Sequence, residues 1–160
     1  MIGDGILSWK RADDIDINHP VLSLLQGDLG LVDPLNHAAA LVANPVAAAT
    51  QKHVFQPYGQ GDTYAPPPTQ QTFAIAAQLD EASAPSGVVP DSFLSTAPLV
   101  VPAGGNASVN GVTLTALLRQ YAPGSSYDGH FVAYDNATAE ANVDAFIAAC
   151  VAGKTPTVGP

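Results

Sequence analysis

His53-Val54-Phe55-Gln56-Pro57-Tyr58 runs directly into Gly59-Gln60-Gly61-Asp62-Thr63-Tyr64, a short apolar strand that ends in a glycine-flanked turn bearing a carboxylate. Pro57 weakens the strand near its end, because proline lacks the N–H that a ladder uses. A loop with Pro66, Pro67 and Pro68 follows. Thr69 then caps a helix to about Leu79, with Phe73, Ala76, Ala77 and Leu79 as its buried stripe. Strand, turn and helix in this order predict an α/β chain.

Toward the C-terminus, Glu81 to Pro98 is a softer stretch rich in Ser, Ala and Pro, and Leu99-Val100-Val101 is apolar and β-branched. Asn110-Gly111 between Ala107-Ser108-Val109 and Val112-Thr113-Leu114 is a hairpin signal. The apolar run resumes through Ala116, Leu117 and Leu118 to Tyr121. A loop from Pro123 to Gly129 ends in Asp128-Gly129-His130-Phe131. Asn136 caps a last helix whose Val143, Phe146, Ile147 and Cys150 keep helical spacing; Gly153 stops it, and the tail to Pro160 is expected to be loose.

Toward the N-terminus, Met1 to Ile17 is irregular and acidic. Asn18-His19-Pro20 offers a helix start. Val21, Leu22, Leu24, Leu25 and Leu29 are apolar nearly all round, which predicts a well-buried helix limited by Gly27 and Gly30. Asp33-Pro34 starts another helix, continued by Ala38 to Val42 and ended by Asn44-Pro45.

The bulk numbers set the limits. At 160 residues, 47% hydrophobic and 12% charged, residues 1–160 are expected to form a single domain with its own core. A net charge of -9 repels phosphate backbones and argues against nucleic-acid binding. No apolar run has the roughly 20 residues of a membrane span. Nothing near Met1 has the pattern of a secretory signal, though a preceding part of a longer protein could carry one, so the compartment stays open. Cys150 is the only cysteine, which excludes an intrachain disulfide, and its place on the apolar stripe predicts a buried, inert thiol. His19, His37, His53 and His130 lack metal-ligand spacing, so neither a metal nor a cofactor is expected.

Two clusters carry chemistry: Gly59-Gln60-Gly61-Asp62-Thr63-Tyr64 after a strand, with Pro66 to Pro68 behind it, and Asp128-Gly129-His130-Phe131 before the last helix. They resemble the acid loop, G-x-x-D-x-x-x-P, and the histidine loop, often G-H-F, of α/β-hydrolases of the bacterial lipase and esterase kind. There the acid precedes the histidine and the serine lies upstream of both. The resemblance covers roughly Asn18 to Gly153, with Asn18 to Asn44 similar to lid or cap-side helices. It implies a partial α/β-hydrolase sheet: the last strands, a hairpin and flanking helices. It also implies Asp62 and His130 as the catalytic acid and histidine of a Ser-Asp-His triad, with Tyr64 and Phe131 packed around them.

The departure from that family is the missing N-terminal half. There is no G-x-S-x-G nucleophile elbow; the nearest serine-bearing turn, Gly124-Ser125-Ser126-Tyr127, lacks the second glycine and the strand-to-helix setting. The chain alone is therefore expected to hydrolyse nothing efficiently. Two functions follow. One is the C-terminal portion of a serine ester hydrolase acting on ester or lipid-like small molecules. The other is a non-catalytic half-fold that self-associates or binds an N-terminal half, another partner or an apolar ligand.

Overall fold

The computed structural model describes residues 20–46 and 52–160. The chain divides between Asn36 and His37 into two compact units. In the first, helix α1 spans Pro20–Leu29, with the proline at a position where a missing N–H costs nothing. The expected caps Asn18 and His19, and the acidic stretch before them, lie outside the described residues. Gly30 N donates to Gln26 O at 2.8 Å after the last turn. Asp33 Oδ1 then accepts from Leu35 N at 2.9 Å, and the short helix α2, Pro34–His37, begins as the Asp-Pro signal predicted. The predicted burial of α1 is not found. None of its residues is buried, and Leu24 is 70% exposed. A helix apolar all round needs neighbours on every side, and the sequence pattern shows only what it could bury.

The second unit begins with a 3-10 turn at Ala38–Ala40, tighter than the α-helix expected there. It continues through β1 (Val54–Gly59), α3 (Pro67–Ala77), β2 (Asp80–Ala82), β3 (Ala103–Gly104), β4 (Ala107–Val109), β5 (Val112–Leu114), β6 (Ala116–Tyr121), α4 (Val132–Asp135), α5 (Ala137–Val151) and β7 (Thr157–Val158). A second 3-10 turn, Gly129–Phe131, precedes α4. The fold is mixed α/β around a small parallel sheet of order β1-β6-β2. Strand β6 lies in the middle and all its residues are buried: the apolar Ala116, Leu117 and Leu118, and also Arg119, whose Nε donates to Ser83 O at 2.9 Å, and Gln120, whose Oε1 accepts from Asp91 N at 2.7 Å. Ala116 and Leu118 face a core shared with Tyr58, Ala74, Ala77 and Leu79, while Leu117 faces Ala82, Phe146 and Val158 on the opposite side. Helices α3 and α5 thus cover opposite faces.

Pro57 is accommodated because β1 is an edge strand. Val54 N and Gln60 N donate inward to Thr115 O and Tyr121 O at 2.8 and 3.0 Å. The alternate residues Phe55, Pro57 and Gly59 therefore turn their backbone outward, where proline costs no ladder bond. The Asn110-Gly111 hairpin forms as predicted between β4 and β5, with φ of 51° and 80° at its two turn residues.

Several expectations need correction. Pro66, not Thr69, is the N-cap of α3, and Pro67 and Pro68 fill its first turn. Asp80–Ala82, partly inside the stretch read as soft, is the third strand of the sheet, too short to show a pattern. The tail is not loose: Val158 is fully buried in β7, paired with β3, and Gly159 N donates to Asn142 Oδ1 at 2.6 Å. The buried residues of α5 are Ala139, Asn142 and, from the predicted stripe, Phe146. Cys150 is exposed rather than buried. Val143 and Ile147, on the predicted stripe, instead line an open apolar groove of about 420 Å³ with Leu41, Phe55 and Pro57.

Candidate functional site

The site is assembled by the parallel pairing of β1 and β6. Their register matches Gly59 with Tyr121, so both strands deliver their following loops to the same sheet end. Asp62 follows β1 directly, and His130 arrives from β6 through the loop after Tyr121. Two glycines let the loops touch. A β-carbon on Gly59 would fall 1.8 Å from Gly129 O, and one on Gly129 would fall 2.3 Å from Gln60 O. No side chain fits at either position.

The structure brings the two sequence-predicted site residues together: His130 Nδ1 lies 3.2 Å from Asp62 Oδ2. Asp62 is fixed by its neighbours. Its Oδ1 accepts from Tyr64 N and Ala65 N at 2.8 and 2.7 Å, closing the turn on itself. Gln70, on α3, points Nε2 at Asp62 Oδ2 from 3.3 Å and at Ala65 O from 2.9 Å. The Asp62 side chain is 6% exposed and that of His130 42%, so the acid is sealed while the imidazole faces outward. A carboxylate in its ionised form only accepts, and against such a partner the neutral ring would carry its hydrogen on Nδ1 and leave the Nε2 lone pair free. Tyr64 and Phe131 flank the imidazole at ring-centroid distances of 4.7 and 5.1 Å. Among the described residues the ring's hydrogen-bond partner is Asp62 alone, and Ser125 and Ser126 are exposed in the loop that leads to it.

A second carboxylate joins the two loops. Asp128 Oδ1 accepts from His130 N at 2.9 Å and from Thr63 N at 3.1 Å, and Oδ2 accepts from Thr63 Oγ1 at 3.0 Å. The backbone N–H groups of His130 and Thr63 hold the Asp128 carboxyl below the usual carboxylate range. Sequence reading passed over this role and that of Gln70. For Asp128 a signal existed, since aspartate two residues before a 3-10 turn residue is a natural cap. For Gln70 there was none.

His53 is structural: its Nδ1 accepts from Thr115 N at 3.0 Å. His19 lies outside the described residues. Among the described residues no group of three or more His, Cys, Asp or Glu side chains could hold a metal ion, and no helix is long and apolar enough to cross a membrane. In comparisons with known proteins, no family model, no curated protein and no solved structure matches this chain.

Proposed function

We propose that this chain is the acid-and-histidine portion of a serine ester hydrolase, lipase- or esterase-like, whose nucleophile lies on a segment outside these 160 residues. The observation that carries the reading is the buried Asp62 carboxylate held against Nδ1 of a half-exposed His130. In this scheme His130 Nε2 removes the serine proton as the serine oxygen attacks the ester carbonyl carbon. The same nitrogen returns that proton to the departing alcohol, while Asp62 fixes the tautomer and balances the imidazolium charge. The aromatic flanks Tyr64 and Phe131 suit an apolar ester or lipid-like substrate. In the protein that carries the serine, His130→Ala is expected to lower ester turnover by roughly 10²–10⁴-fold. Turnover within twofold of the parent would contradict the assignment.

The outer edge of β1, unpaired among the described residues, and the apolar groove beside it favour a second reading, in which the chain is a half-fold that seats a partner or a second copy without catalysis.

A further inference from the structure

We infer that Asp128 is a positioning residue, a latch that sets the distance between Asp62 and His130; its role in catalysis rests on the function proposed above. The two loops come from strands far apart in sequence, and neither Asp62 nor His130 can by itself fix how closely they meet. Their mutual hydrogen bond is at 3.2 Å, so slack in either loop breaks it. Asp128 removes that slack from both sides. It caps the 3-10 turn that bears His130 by accepting the histidine's own N–H at 2.9 Å. It also reaches across to Thr63, the residue next to Asp62, and takes both its N–H and its hydroxyl. Among the described residues, every donor on Asp128 thus belongs to a residue that is, or adjoins, a member of the pair. The contact of Gly59 with Gly129 stops the loops approaching further, so the latch pulls against a fixed stop.

Chemistry separates the latch from its charge. In Asp128→Asn the amide oxygen keeps both backbone donors, and the amide N–H can donate to Thr63 Oγ1, whose hydroxyl reverses its role. In Asp128→Ala all three bonds go. The test is long-range proton–nitrogen NMR of the uniformly ¹⁵N-labelled 160-residue chain, which reports the His130 tautomer. The parent and Asp128→Asn should show the Nδ1–H form in excess. Asp128→Ala should drift toward the tautomer mixture of a free histidine while circular dichroism and Tm show the fold intact. An Asp128→Ala spectrum with the parent's tautomer ratio overturns the latch. Should that variant not fold, hydrogen exchange on the parent decides instead. The Thr63 and His130 amides must then exchange at least tenfold more slowly than the neighbouring loop amides, and equal rates overturn the latch. Failure of the functional reading looks different: the tautomer results would stand, while His130→Ala in the serine-bearing protein would keep ester turnover within twofold of the parent.

Discussion

At the residue scale, the proposed chemistry depends on which nitrogen of His130 carries the hydrogen. Asp62→Asn tests this without any substrate. The two backbone donors at Oδ1 would keep the amide oxygen, so the amide N–H group must occupy the place of Oδ2, facing Nδ1 and the donor of Gln70. The imidazole can then only accept at Nδ1. The neutral ring should therefore switch to the Nε2–H tautomer, which is useless as a base toward serine, and ¹⁵N NMR would read the switch directly. An unchanged Nδ1–H form would show that Asp62 does not orient the ring. Gly129 poses a packing question at the same scale. In Gly129→Ala the new β-carbon would meet backbone atoms at 2.3 and 2.7 Å, which cannot move as a flexible side chain does. The expected loss is about 1–3 kcal/mol, read from the midpoint of urea denaturation. No loss would mean that the loops separate freely.

At the element scale, what could be read in the sequence was what local chemistry dictates. The Asn110-Gly111 hairpin, the Asn136 cap of α5 and strand β1 all carry their cause within a few residues, and the cap is made by Asn136 Oδ1 accepting from Thr138 N and Ala139 N. Strand β2 and the docking of the tail were not legible, because both depend on distant partners. Glu81 shows why. On β2 it is buried, and it accepts from Gln120 Nε2 at 3.0 Å within a polar layer that also holds Asp91 and Tyr58. Burial, with Asp91 hydrogen-bonded beside it, pushes the Tyr58 phenol up to about 12, and burial raises Glu81 above its ordinary 4.5. A carboxyl raised in the folded state contributes stability that is fully present below its unfolded pKa and lost as pH rises through the folded one. Glu81→Gln, which cannot ionise, should therefore be more stable than the parent at pH 7, and the gap should close as pH falls through the folded pKa of Glu81. Thermal melts at several pH values measure this, and a gap that widens in acid would contradict it. Asp128 works in the opposite sense: its lowered pKa makes the loop contacts secure above the usual carboxylate range and weaker as acid protonates it.

At the scale of the whole molecule, the sheet is parallel, its central strand is completely buried, and the backbone of β1 at Phe55, Pro57 and Gly59 is turned outward beside an apolar groove. The pairing of Asp62 with His130 was legible because chain order and flanking turns place both at one sheet end. The proposed nucleophile was not, because no serine of the chain stands in the required glycine-flanked turn. The measurement that tests the central claim most directly is the intact mass of the protein from its native source, before and after a serine-directed phosphonate. A species heavier than 16.3 kDa that gains a single phosphonate is the expected result, and it would place Asp62 and His130 in a complete hydrolase. A 16.3 kDa species that stays unmodified would contradict the account and leave the half-fold as a binding module.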